Sequence, residues 1–368
     1  MLIIKNGKIV TMAGRLIDGG DILINEGKIF KIFETAEYSP EHVDIVIDAD
    51  GKFVFPGFID IHTHYGLDGT LPGDVYDAEK YAYPQTEVIR YVNAENSIFT
   101  DCLKSGITSV MVAPFDNQVI GGKCCLVKTA PERNGCANTV SDFCGEKLSL
   151  CPMLYDNPNI SKEAIPMFIR EDLSAAQNSL SPTLTSYNLS AYPALSAYEP
   201  VIKAEVPTFI SVADESQLKI AINIIETYSL RGILILQGFK SGDISPDYIK
   251  SNISYVIDPL GMDSEARKRL IESVTATSFA ISTSNPKPCA DLLTVNASIF
   301  VKNGLDMNRA FEAITTAPAA LCNVSNRIGS IEEGKDADIV IYDGNPLEML
   351  SNVAVSVVDG RVAYSAMS

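Results

Sequence analysis

The sequence predicts an α/β protein: a (β/α)8, TIM-type barrel with a small composite β-sandwich formed from the N- and C-terminal segments. Three observations carry this expectation. Apolar strand-like runs alternate with helix-period stretches through the long middle of the chain, strand–turn patterns fill both ends, and one apolar run closes on the pair His62 and His64. Alternation sustained over such a length favours a closed barrel over an open sheet, and in such barrels chemistry collects at the C-terminal ends of the strands.

The first 52 residues read as short strands joined by tight turns. Leu2-Ile-Ile-Lys-Asn-Gly-Lys-Ile-Val, Asp21-Ile-Leu-Ile-Asn-Glu-Gly-Lys-Ile and Asp44-Ile-Val-Ile-Asp-Ala-Asp-Gly-Lys each place a glycine turn after a β-rich run. The tail repeats the style in Ala337-Asp-Ile-Val-Ile-Tyr-Asp-Gly and Val355-Ser-Val-Val-Asp-Gly-Arg-Val. Chain ends commonly lie close together, so residues 1–52 plus 330–368 are expected to form one composite sandwich around a barrel of residues 53–329.

Within the middle, buried parallel strands are expected at Phe53–Ile61, Thr108–Val112, Thr208–Val212, Gly232–Leu236, Ser254–Ile257 and Ser278–Ser282. Helix-period apolar positions mark Asn93–Lys104, Gln217–Tyr228, Ser264–Thr275 and Met307–Ile314. Residues 150–205 are less regular: a helical start over Lys162–Asn178 gives way to Pro, Ser, Asn and Tyr, as in a barrel insertion or lid.

Composition narrows the partners. The chain has 368 residues, 46% hydrophobic and 20% charged, with a formal net charge of −17. That surplus of acid disfavours nucleic acid and anionic membrane surfaces. Its apolar runs are too short to span a bilayer, and the start lacks the charged and apolar segments of a signal peptide, so a cytoplasmic protein is expected. Eight cysteines show no C-x-x-C pair and read mostly as buried small apolar residues.

Side chains two apart on a strand share a face, so His62 and His64 at a strand end can offer two nitrogens to one divalent metal. The only other histidine is His42, in a turn of the sandwich, which reads as a surface residue. Gly121-Gly122-Lys123 lacks the spacing of a phosphate loop. Asp68, Asp74 and Asp77 fall in a Tyr-rich stretch that reads as a solvated loop.

The block Pro56-Gly57-Phe58-Ile59-Asp60-Ile61-His62-Thr63-His64 resembles the first barrel strand of the amidohydrolase superfamily. Glu312-Ala-Ile-Thr-Thr-Ala-Pro-Ala and the tail from Arg327 to Leu347 resemble that superfamily's last helix and its return into the sandwich. Val119-Ile-Gly-Gly-Lys and Val127-Lys-Thr are similar to the branch related to imidazolonepropionase. The resemblance implies hydrolysis of C–N bonds in amides or cyclic amides, assisted by zinc or another divalent metal. It places metal ligands on the His pair, on a carboxylate or modified lysine of strand four and on histidines ending strands five and six, with an Asp base at the end of strand eight.

Carried onto this chain, the implied set is incomplete. His62 and His64 are present, and Glu146 in Cys144-Gly-Glu-Lys matches the strand-four carboxylate. Ser211 and Gly238 stand where the histidines of strands five and six are expected, and Ser284 where the base is expected, followed by Asn285. A serine hydroxyl stays protonated at neutral pH and glycine has no donor, so weak or absent metal binding is expected. One reading is therefore an inactive or reassigned member that binds a small molecule through Lys128, Glu146, Gln237 and Asn285. The alternative is a working C–N hydrolase with one metal on His62, His64 and Glu146, its base supplied by Asp60, Asp116 or Asp214. A third reading uses thiol chemistry at Cys144 or Cys289. Barrels of this kind often pair, so a homo-oligomer is expected.

Overall fold

A computed structural model describes residues 1–35, 43–68, 71, 82–150, 161, 163–180, 193–239, 248–283 and 289–367. The expected His42, Asp74, Asp77, Ser284 and Asn285 lie outside these residues. The strands, in chain order, are β1 (Leu2–Val10), β2 (Leu16–Asn25), β3 (Lys28–Phe33), β4 (Ile45–Asp48), β5 (Phe53–Pro56), β6 (Phe58–Thr63), β7 (Ile107–Val112) and β8 (Ile120–Lys128). They continue with β9 (Asn138–Ser149), β10 (Thr208–Val212), β11 (Gly232–Leu236), β12 (Ser254–Ile257), β13 (Phe279–Ile281), β14 (Ile339–Tyr342), β15 (Val353–Val358) and β16 (Arg361–Ser365). The helices are α1 (Ser97–Lys104), α2 (Ile165–Ser179), α3 (Pro193–Ala197), α4 (Glu199–Ile202), α5 (Glu215–Tyr228), α6 (Ser264–Val274), α7 (Leu292–Lys302), α8 (Met307–Glu312) and α9 (Thr316–Leu321).

Two sheets organise these elements. The terminal sheet runs β16-β15-β14-β5-β1-β2-β3, with β4 also on β1, so strands from both ends of the chain hydrogen-bond in one layer. It carries its own apolar cluster, including Ile4, Ile22, Val54, Ile339 and Val357. The central sheet runs β13-β12-β11-β10-β9-β8-β7-β6 and is nearly closed: β6 and β13, at its two ends, approach each other. Thr283, just past β13, ties the closure to β6, its amide and hydroxyl donating to the Asp60 carboxylate at 3.2 and 2.7 Å.

An apolar lining fills the space inside this second sheet. Ile59, Ile61, Met111, Phe209, Ile235, Val256 and Ala280 pack there with α9 residues such as Leu321. The opposite faces of the strands meet the helices, and Val110, Ile210, Leu234 and Ile257 join Leu218, Leu270 and Phe300 in the larger cluster. Each strand thus buries both faces, which is why it reads as a continuous apolar run.

Short polar side chains, three of them acidic, begin several of the helices. Asn96, Asp214, Asp263 and Asp306 each accept from backbone amides of the turn they begin. Such caps satisfy amides without a partner in the helix and contribute about 1 kcal/mol each.

Two features differ from the expected architecture. β8 runs antiparallel to both β7 and β9, so one staves of the barrel is reversed and hairpin-like links replace the helical crossovers. The connecting segments 113–119 and 129–137 are too short for a parallel return, which needs about a dozen residues or more. The apolar run Phe53–Ile61 is also two strands, not one. β5 pairs with β1 and β14 in the terminal sheet, Gly57 turns the chain, and β6 enters the barrel.

Candidate metal and ligand site at the strand ends

His62 lies in β6 and His64 just after it, where the pairing with β7 slips between Asp60 and Thr63. Irregularities of this kind re-aim side chains at barrel rims. The two imidazole centroids are 5.4 Å apart at 74°. His64 Nδ1–H donates to the Ala113 carbonyl at 2.8 Å, which fixes the ring and leaves Nε2 with its lone pair. Phe115 packs on that ring at 4.6 Å. His62 is fully buried, and burial, then the Lys147 charge, then His64 hold its pKa well below the ordinary histidine value. The His62 ring therefore suits metal or ligand binding as a neutral imidazole.

The loop after β7 brings Asp116 beside them. One ligand atom each from His62, His64 and Asp116 lie within 4.8 Å of one another. Burial works against ionising Asp116, but the Lys147 ammonium and the nearby imidazoles overcome it and hold the carboxyl below the usual carboxylate range.

Lys147 comes from β9, opposite Phe209 on β10. Its side chain is 1% exposed and reaches up to the strand ends, where the ammonium contacts Asp116 and donates to Ser211 Oγ at 2.7 Å. Gln237, following β11, approaches the other Asp116 oxygen at 3.4 Å. Gly238 holds a left-handed φ of 67°, and a Cβ there would meet nothing within 4 Å among the described residues. At the two positions where histidines are expected, the site therefore holds a hydroxyl engaged with a lysine and a residue without a side chain.

Glu146 is placed differently from its expected role as a ligand. Successive strand residues point to opposite faces, so Lys147 inside the barrel puts Glu146 on the outer face. It is fully buried, neither carboxyl oxygen has a hydrogen-bond partner among the described residues, and burial lifts its pKa well above the carboxylate range. It does not join the His62–His64–Asp116 group.

Lys128, expected as a pocket anchor, is also elsewhere. Because β8 is reversed, its last residue is carried to the end of the barrel opposite the histidines. There the buried Lys128 ammonium meets Asp336 at 2.8 Å, Asp338 at 3.1 Å and Asp359 on the terminal sheet side. Lys28 and Arg327 also pair with Asp336.

Other candidates have structural roles. Asp214 caps α5. Asp60 is bound by Thr283, and burial, against those hydrogen bonds, pushes its pKa up to about 7. Cys144 is buried beside Cys322, and burial raises its thiol pKa far above the range of a reactive thiolate. Asp68 accepts from Asn93 and Asn96 and pins a loop.

Two imidazoles and a carboxylate are a chemically ordinary donor set for a divalent metal. The fourth neighbour is not, since a lysine ammonium already engages that carboxylate. The residues therefore fit a divalent ion only if Lys147 gives up its contact with Asp116.

A nearly closed sheet with paired histidines at a strand end is the architecture in which barrel proteins gather site residues. Comparison with known proteins shows what the chain is similar to. Residues 294–364 match the model of the amidohydrolase family. The imidazolonepropionase of Thermoplasma volcanium is 25% identical over 393 aligned residues, covering 93% of this chain and 91% of that enzyme. The adenine deaminase of Clostridium perfringens is 23% identical, covering 93% of this chain and 56% of that protein. An amidohydrolase structure from Thermotoga maritima superposes with a TM-score of 0.83 at 23% identity, covering 99% and 100% of the two chains. The chain is thus similar to amidohydrolase-superfamily proteins over almost its whole length.

Proposed function

We propose that this protein binds a small polar molecule, of the amide-like class its superfamily acts on, at the strand ends around His62, His64 and Asp116, and that it has given up metal-assisted hydrolysis. The observation that carries this reading is the fate of the strand-five and strand-six positions. Ser211 spends its hydroxyl on Lys147 and Gly238 offers no side chain, so neither adds a nitrogen donor. Gln237 and His64 remain as polar anchors at the rim. A thermal-shift screen of cyclic amides and N-acyl amino acids, followed by turnover assays on the hits, tests this. Stabilisation without turnover, lost in D116N, supports the reading; metal-dependent turnover overturns it.

The second reading is a working C–N hydrolase with one metal, and the His62–His64–Asp116 grouping favours it. In this version Asp116 replaces Glu146 in the ligand set. A divalent ion there would supply Lewis-acid polarisation of a substrate carbonyl. The residues would then hold and orient: His64 fixed by Ala113, His62 kept neutral by burial, and Gln237 placed toward the reacting group.

The same proposal includes a homo-oligomeric, cytoplasmic protein divided into a barrel of residues 53–329 and a composite sandwich of 1–52 plus 330–368. No helix among the described residues is long and apolar enough to cross a membrane. The terminal sheet's separate apolar cluster and its strands from both chain ends support the division.

A further inference from the structure

From the placement of Lys147 we infer that this lysine is the site's resident cation: its ammonium takes the position of a divalent ion and keeps such an ion out. The inference rests on the binding reading above and names what excludes the metal.

Three observations converge. Asp116 is 4% exposed, and a carboxylate buried to that degree needs a counter-charge to stay ionised. Lys147 supplies it from inside the barrel wall, with its own side chain 1% exposed and the ammonium directly on Asp116. Ser211 then orients that ammonium at 2.7 Å from the strand-five position, where a histidine would instead have faced a metal.

The consequence is competition between cations. A divalent ion among His62, His64 and Asp116 would share the Asp116 carboxylate with an ammonium a few ångströms away. In a buried setting, repulsion between a single and a double positive charge at that range is worth orders of magnitude in affinity. One cation fits at a time, and the covalently attached one is always present. Lys147 acts here as a positioning residue, since it sets the charge of the group without itself being assigned to a reacting atom.

Cobalt(II) titration of the full-length protein tests this, read by d–d absorption and by calorimetry, without any substrate. Wild type and K147R, which both keep the cation, are expected to bind cobalt weakly. K147Q retains a hydrogen-bond donor for Asp116 and Ser211 but loses the charge. It is expected to bind one equivalent on the order of a hundredfold more tightly. Adding H64A to K147Q should return affinity to the wild-type level. Intact mass of the wild type is expected to match the unmodified sequence. Tight one-equivalent binding by wild type or K147R overturns the inference, as does a wild-type mass carrying an added carboxyl on Lys147. If K147Q does not fold, the wild-type titration alone decides: weak binding supports the inference and tight binding ends it. Because no turnover is measured, a failure here is separable from a failure of the binding assay, which uses D116N and amide ligands.

Discussion

Lys147 and Ser211 sit on adjacent parallel strands and meet through a 2.7 Å hydrogen bond at the strand ends. The bond joins a buried cation to the position where superfamily resemblance implies a histidine. Ser211→Ala removes one of the ammonium's acceptors while Asp116 and the Leu148 carbonyl, at 3.3 Å, remain. The expected loss is about 1 kcal/mol of unfolding free energy, measured by urea denaturation, because a net hydrogen bond is worth roughly that much.

The Lys128 cluster ties the barrel to the terminal sheet. Lys128→Met leaves Asp336, Asp338 and Asp359 without their shared cation. Breaking a buried pair by deleting one partner costs about 3–5 kcal/mol. Urea melts should show that loss, while cobalt and ligand binding by the folded variant should match wild type, since Lys128 lies at the other end of the barrel.

Gly57 makes the turn from the terminal sheet into β6, and its amide donates to the Asp338 carbonyl at 2.9 Å. A Cβ at this position would stand 2.0 Å from Thr108 Oγ1. Gly57→Ala is therefore expected to destabilise by about 1–3 kcal/mol or more through overpacking, read as a lowered melting temperature.

Asp258, just past β12, gives a pH signature outside the site. Burial raises its carboxyl pKa from 3.8 to about 6, against hydrogen bonds from Leu260 and Asn296. The folded state thus holds this proton more tightly than the unfolded chain. The associated stability is fully present below the unfolded pKa and is lost as pH rises through about 6. The loss is on the order of 3 kcal/mol for a shift of this size. Asp258→Asn should flatten this component when unfolding free energies of the two proteins are compared between pH 4 and 7.

Much of the scaffold was legible because apolar period and cap residues are local signals. The strands at 208–212, 232–236 and 254–257 fall where their apolar runs place them, and α6 begins at the residue after its Asp263 cap. The reversed β8 was not legible, since a buried strand carries the same composition in either direction. That reversal also misplaced Lys128, although the Asp336–Asp338 alternation in the tail offered partners for a buried lysine. In the site, His62 and His64 were visible as a motif. The choice between Glu146 and Lys147 depended on strand phase, which a register shift within the β8–β9 pairing obscures. Asp116 sits in a loop, where no periodicity points to a shared site, and the sequence offers it only as an alternative base.

The most direct test is an anomalous-diffraction map from crystals grown without chelator and soaked in zinc. The account predicts Lys147 Nζ in contact with Asp116 and no ordered zinc at His62 and His64. A fully occupied anomalous peak bridging His62, His64 and Asp116, with Lys147 turned away, would contradict it.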